Sequence, residues 1–118
     1  MLIQETGEII CWGGNEKGQL GLGNYEDVYT PQKIDSLSKA GLKISYIAAG
    51  GDLNLCCSEE GHAFAWPFIQ NGIKQSIPQR MPFSDKTKIQ KVTCGHNFGF
   101  FISLQGLVYA FGEDNSDG

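Results

Sequence analysis

The amino-acid sequence predicts an all-β chain forming part of a β-propeller of four-stranded antiparallel blades, and three observations carry that reading. A glycine-led apolar segment with a large aromatic residue five places after the glycine occurs three times. The copies lie about one blade length apart. Glycine, at 16 of 118 residues, is roughly twice as frequent as in an average protein and shows no collagen-like period. It sits beside aromatic and β-branched residues, as frequent tight turns between short strands require.

The three copies are Gly7-Glu8-Ile9-Ile10-Cys11-Trp12-Gly13, Gly61-His62-Ala63-Phe64-Ala65-Trp66-Pro67 and Gly106-Leu107-Val108-Tyr109-Ala110-Phe111-Gly112. Their leading glycines are 54 residues apart (7 to 61) and then 45 apart (61 to 106). A second register agrees: Ile47-Ala48-Ala49-Gly50 matches Val92-Thr93-Cys94-Gly95, again 45 residues on. The pattern places repeats at approximately 1–46, 47–91 and an incomplete 92–118, and predicts that Trp12, Trp66 and Phe111 are buried at equivalent places between sheets.

Leu53 to Cys57 and Phe98 to Ile102 are rich in strand-forming residues, and each reaches a glycine within a few residues. Glycine takes the positive φ that a tight hairpin demands. Gln4 to Gly7, Ser58 to Gly61 and Leu104 to Gly106 are therefore read as hairpin turns, with Met1-Leu2-Ile3 the end of the strand entering the first. Pro31-Gln32-Lys33-Ile34 and the stretch from Ile77 to Met81 are further strands. Pro31, Pro78 and Pro82 lack a ladder donor, which puts these strands at sheet edges. No helix is predicted; Ser36 to Gly41 is read as at most a turn.

Between Trp12 and Thr30-Pro31 runs Gly13-Gly14-Asn15-Glu16-Lys17-Gly18-Gln19-Leu20-Gly21-Leu22-Gly23. With its flanking aromatic, this stretch resembles the signature of the regulator of chromosome condensation repeat: aromatic, glycine, asparagine, then glycine-glutamine-leucine-glycine. The match is unbroken in the first repeat. In the second it lapses after Trp66, since Phe68 to Ser76 holds no such run. The histidine often found three residues after the alanine-glycine pair in that family is replaced by Leu53 and Phe98. The resemblance implies about seven blades in a closed ring, of which the chain supplies a little over two, beginning and ending inside repeats.

A formal net charge of −4 and the absence of a Lys/Arg cluster denser than Lys86, Lys88 and Lys91 argue against direct nucleic-acid binding, which depends on neutralising phosphates. No apolar run approaches the roughly 20 residues of a membrane span, so no membrane association is expected. Cys11, Cys56, Cys57 and Cys94 each sit in an apolar run, the setting of reduced core cysteines. Cys56 and Cys57 are expected on opposite faces of one strand.

No catalytic, cofactor or metal site is expected. The glycine-rich stretch lacks the Gly-Lys-Ser/Thr of a phosphate-binding loop and opens no helix. Cys94-Gly95-His96, with Cys11 or Cys56 as a third ligand, gives one short-spaced pair where zinc sites show two. Glu113-Asp114-Asn115-Ser116-Asp117-Gly118 resembles the first half of a calcium loop, but begins with Glu and has no helix before it. His62 and His96 sit in turns without a nucleophile placed beside them by spacing.

The function read from these features is a non-enzymatic protein-protein interaction scaffold, a propeller module of a larger regulatory protein. The resemblance implies a protein partner and cytoplasmic or nuclear location. It leaves open a small GTPase as that partner, with guanine-nucleotide exchange on a Ran-like GTPase as the alternative. A regulatory module of a kinase or ubiquitin ligase whose catalytic domain lies outside the chain is the other alternative. An open arc of blades would leave strand edges and faces uncovered, so self-association of the chain is a further expectation.

Overall fold

A computed structural model describes residues 1–112, apart from 51–52, 71–72, 84–85 and 96–97, with backbone alone over 68–70, 73–75 and 111–112. Apart from one helical turn, the regular elements are strands in antiparallel sheets. The first sheet joins β1 (Leu2–Ile3), β2 (Ile9–Gly13) and β3 (Val28–Lys33) in that order. After it comes α1 (Asp35–Lys39). The second sheet begins with β4 (Ile44–Ala49), β5 (Asn54–Ser58) and β6 (Ala63–Trp66). A separate two-stranded hairpin, β7 (Phe68–Gln70) and β8 (Ile73–Gln75), then interrupts it before the fourth strand, β9 (Gln79–Arg80). The third sheet is β10 (Ile89–Cys94), β11 (Phe98–Ser103) and β12 (Val108–Gly112).

The three hairpin turns stand where glycine predicted them. Gly7, Gly61 and Gly106 have φ of 86°, 94° and 86°. Their amides donate to the carbonyls of Gln4, Ser58 and Ser103 at 2.9, 3.0 and 3.0 Å. At Gly7 and Gly61 the missing side chain has a second use. A Cβ there would meet Lys43 and Lys88 within 3 Å, so the glycine lets the next sheet's first strand lie directly on the turn. Ile44 N–H then donates to Gly7 O (2.9 Å), and Ile89 N–H to Gly61 O (3.0 Å). Within each sheet the ladder extends one residue further: Glu59 N–H donates to Lys43 O (2.8 Å) in the second, and Leu104 N–H to Lys88 O (2.9 Å) in the third. The pair Glu59–Lys43 recurs 45 residues on as Leu104–Lys88, as do the bulges between Ile44/Tyr46 and Ile89/Lys91.

Because strand side chains alternate between faces, the middle sheet supplies both of its neighbours. Cys56, Phe64 and Trp66 pack with Ile9, Cys11 and Leu20 in the first seam. Leu55, Cys57 and Ala65 pack with Ile89, Val92 and Phe101 in the second. The adjacent cysteines Cys56 and Cys57 thus fall in different seams, as the strand reading requires. Pro31 lies on the outer strand β3 and Pro78 and Pro82 flank β9, the outer strand of its sheet, consistent with their missing donors.

Two expectations are corrected. Asp35–Lys39 forms a turn of helix rather than a plain turn, held by burial of Leu37 in the first seam. Asp35 in its first turn and Lys39 in its last complement the helix dipole. Trp12 is 43% exposed, whereas Trp66 is 0% exposed. Trp66 is covered by a loop of the preceding sheet, and among the described residues no element covers Trp12 in that way. The Phe111 side chain lies outside the described residues; its backbone pairs with Gly99.

The asymmetry is measurable. Trp66→Ala should lower the unfolding free energy by about 3–5 kcal/mol, read from denaturant titration followed by circular dichroism. Trp12→Ala should cost about 1 kcal/mol or less.

Candidate functional site: the signature loop and the seams between sheets

The stretch from Gly13 to Gly23 joins β2 to β3 and is organised around Asn15, which is fully buried. The Asn15 backbone N–H donates to Asp27 Oδ1 at 2.8 Å. Its Nδ2 donates to the carbonyl and the Oδ1 of Asn24, both at 3.0 Å. Its Oδ1 accepts the Leu20 amide at 3.0 Å, and its carbonyl accepts the Gly18 amide at 3.1 Å. An asparagine side chain offers both donors and an acceptor, so one residue ties together both ends of the loop. Gln19 Oε1 accepts the Lys17 amide at 2.9 Å, and the Gly21 amide donates to Gly18 O at 3.2 Å.

The loop is fixed so as to grip the next sheet. The Gln19 carbonyl accepts two hydrogen bonds across the seam, from Asn54 Nδ2 at 2.6 Å and from Trp66 Nε1 at 3.0 Å. Gly21, at φ 73°, lies against the indole; a Cβ there would stand 2.8 Å from Trp66 Nε1. Cys11 Sγ donates to Leu20 O at 3.3 Å from beneath. The amides of residues 15, 17, 18, 20 and 21 all donate within the protein, so the glycine-rich run functions as a clamp between sheets.

The second seam lacks this clamp, and its chemistry is adjusted accordingly. Asn54 and Trp66 are cross-strand partners in the second sheet. The residues 45 places on, Gly99 and Phe111, are cross-strand partners in the third. Neither carries a side-chain donor, and the repeat before them has no glycine-glutamine-leucine-glycine carbonyl to receive one. The space beside Gly99 is taken by the Leu55 side chain. Phe83 closes the seam, edge-on to Phe101 at 5.5 Å and tilted against Tyr109 at 4.9 Å.

The other residues singled out by sequence fall as follows. All four cysteines are free, with Cys11, Cys56 and Cys57 buried and Cys94 half-buried. Burial pushes each thiol above its ordinary value of 9.0, which keeps the thiolate, the nucleophilic form, scarce. His62 Nδ1 lies 2.8 Å from Arg80 Nη2 and accepts from that guanidinium, with Glu60 Oε2 3.7 Å from Nε2. His96, and the run from Glu113 to Gly118, lie outside the described residues. Lys88 covers the Gly61 turn and Lys91 Nζ stands 6.0 Å from the centre of the Tyr46 ring, so the lysines are spread over separate contacts. Among the described residues no group of three or more His, Cys, Asp or Glu side chains could hold a metal ion. Among the described residues no helix is long and apolar enough to cross a membrane. The seam roles of Gln19 and of Lys43 and Lys88 were missed from sequence, since the first acts through its carbonyl and the lysines through their stems.

Comparison with known proteins agrees with this anatomy. The family model for the regulator of chromosome condensation repeat matches residues 6–57, which contain the whole clamp loop. The chain is 32% identical to the ultraviolet-B receptor UVR8 of Arabidopsis thaliana over 95% of its own length and 27% of the receptor's. Among solved structures, human WBSCR16 superposes with a TM-score of 0.83 at 26% identity, covering 93% of this chain and 29% of that one. Prp20p of Saccharomyces cerevisiae, whose structure was described with its binding properties to Gsp1p and histones, superposes with a TM-score of 0.74 at 25% identity. That match covers 98% of this chain and 30% of Prp20p. The chain thus spans between a quarter and a third of these relatives.

Two measurements test the site. Gly21→Ala forces a Cβ against the indole at positive φ and should destabilise by roughly 2 kcal/mol or more. Asn15→Ala orphans the Leu20 amide and should cost about 1–3 kcal/mol. Both are read by denaturant titration. The thiols give a separate test. Raised folded values mean that the neutral thiols stabilise the fold below pH 9.0, a contribution lost as pH rises past it. Unfolding midpoints measured from neutral pH upward should therefore fall in the alkaline range. Cys56→Ser should flatten that fall. A thiol reagent at neutral pH should modify Cys94 first and the other three only after denaturation.

Proposed function

The chain belongs to the regulator of chromosome condensation repeat family, and from that membership we propose that it acts as a protein-interaction module of a larger regulatory propeller protein. The observation that carries the reading is the set of hydrogen bonds across the seams. Hairpin turn, next strand and clamp loop are each bonded to the neighbouring sheet, so the side chains on the rims are held in fixed relative positions. Rigid scaffolds of this kind place their recognition residues on connecting loops and exposed edges. Tyr29, 87% exposed on the edge strand β3, and Tyr46 on β4, beside Lys91 on β10, are such groups. Tyrosine offers a large contact area with a polar tip at small conformational cost. In this reading the protein partner is held and no bond is made or broken by the chain.

A second reading, guanine-nucleotide exchange on a Ran-like small GTPase, draws on one further feature. The β7–β8 hairpin stands outside the sheet that surrounds it, at the place where the first repeat carries its clamp loop. It is the long departure from the repeat pattern, and Prp20p is described as binding Gsp1p. The module reading places this hairpin among the recognition elements; the exchange reading makes it the wedge.

A single experiment separates them. A Ran-like GTPase carrying fluorescent GDP is mixed with the chain, and both binding and nucleotide release are followed. The module reading expects the intrinsic release rate at every chain concentration. Release that accelerates with chain concentration, and slows again when residues 68–75 are replaced by a short glycine linker, would replace it with exchange.

A further inference from the structure

Each seam carries a polar corner where a hairpin turn, an outer strand and the next sheet's first strand meet, and the two corners differ by one exchange. In the first, Glu8 follows the Gly7 turn and its Oε1 stands 3.3 Å from Nζ of Lys33 on β3. In the second, the residue 54 places on is His62, and it faces Arg80 on β9. The ladders verify the correspondence: Ile10 pairs with Lys33, and Phe64, 54 places after Ile10, pairs with Arg80. The third member is a lysine in both, Lys43 against the Gly7 turn and Lys88, 45 places on, against the Gly61 turn. An imidazole that accepts at Nδ1 is neutral, so the carboxylate beside the outer-strand cation of the first corner becomes an uncharged acceptor in the second. Arg80 gives one of its five N–H donors to His62 Nδ1 at 2.8 Å, and among the described residues no side chain takes the others. The carboxylate near this corner, Glu60, is 79% exposed and stands at the ring's other nitrogen, 3.7 Å from Nε2.

Between these side chains lies a pocket lined by His62, Arg80, Lys88, Thr87, Met81 and Phe83, with Glu60 off its wall. It belongs to the seam between the second and third sheets, both of which the chain supplies. Its volume of about 10 Å³ has room for about one water-sized group, so a ligand enters by an oxygen at its tip and stays at the mouth. Arg80 and Lys88 have no carboxylate partner among the described residues. Two such cations match a phosphomonoester, which carries about −1.5 to −2 charges at neutral pH, better than a single carboxylate. The planar fork of arginine adds the paired donors that phosphate oxygens accept. We propose that the corner formed by His62, Arg80 and Lys88 is a recognition site for a phosphorylated serine or threonine of a protein partner. The inference rests on the interaction-module reading and names the chemical group that the module holds. Arg80 and Lys88 meet the phosphate, and His62 is a positioning residue that ties the guanidinium to the pocket wall. The pocket is too small to enclose an aromatic ring behind the phosphate, which makes the carrier an aliphatic hydroxyl side chain.

The test passes a peptide pool with a central phosphoserine and degenerate flanks over the immobilised chain, beside the same pool with serine or glutamate at the centre. The phosphoserine pool should be retained about tenfold or more over either of the others. His62→Glu, which restores the carboxylate of the first corner, should abolish that preference. Arg80→Gln, which adds no negative charge, should abolish it as well, with circular dichroism and unfolding midpoints unchanged in both variants. Lys39→Gln, an equal loss of charge on α1, should leave the preference intact. Equal retention of the three pools by the wild-type chain would overturn the proposal. So would a preference that survives both corner variants, or one that Lys39→Gln removes to the same extent. Elution by inorganic phosphate at the concentration that the free phosphoserine peptides require would also overturn it, since the corner would then hold a free anion rather than a partner's side chain. The interaction-module reading falls on a different result, accelerated nucleotide release, so the two failures are distinguishable.

Discussion

The carbonyl of Gln19 is the point on which the first seam depends. A backbone oxygen has two lone pairs, and here both are used across the gap between sheets, by an amide and by an indole. Burying Trp66 is worth several kcal/mol through its area alone, but an indole N–H taken out of water without a partner forfeits much of that gain. The loop from Gly13 to Gly23 exists in its observed shape because it must carry that carbonyl to the tryptophan. Asn15 sets the turn, Gly18 and Gly21 permit it, and Leu20 caps the apolar cluster beside it. The family signature is thus a description of one hydrogen-bonding requirement.

The second seam is informative because the requirement has been removed there at both ends. With no glycine-glutamine-leucine-glycine loop to offer a carbonyl, the chain presents Gly99 and Phe111 where Asn54 and Trp66 stood. Aromatic packing of Phe83 against Phe101 and Tyr109 fills the space. What the two seams share is the backbone scheme at the hairpin turns, where carbonyls of Gly7 and Gly61 receive the first strand of the next sheet. Side chains at the seam are free to vary together, whereas the turn glycines are fixed by both φ and close approach.

This division explains which parts of the fold were legible in the sequence. Glycine at a positive-φ turn leaves a mark in any single repeat, so the hairpins, the strand pairs they join and the 45-residue period were all readable. The signature loop was readable as a pattern, but its action through a main-chain carbonyl has no side-chain correlate. The contacts of Lys43 and Lys88 with the turns were hidden for a related reason: a long aliphatic stem behaves as an apolar group while its charge says surface. The turn of helix at Asp35–Lys39 has one buried residue, Leu37, too few for a helical period to register. Trp12 was misjudged because repeat equivalence specifies where a side chain points and says nothing of whether a neighbour is there to cover it.

The same reasoning bears on where function sits in this molecule. The groups with most intrinsic reactivity, the four thiols, are raised by burial toward the neutral form and lie in or beside the seams. The glycine-rich amides, which in another setting would cradle an anion, donate to Asn15, Gln19, Gly18 and Asp27. Holding the sheets together thus occupies these thiols and amides. Outside the seams, among the described residues, stand edge strands, exposed tyrosines and the β7–β8 hairpin, all referred to one rigid frame. A fold that spends its polar groups on its own seams is suited to recognising shapes, and its specificity must come from the residues that the seams leave outside.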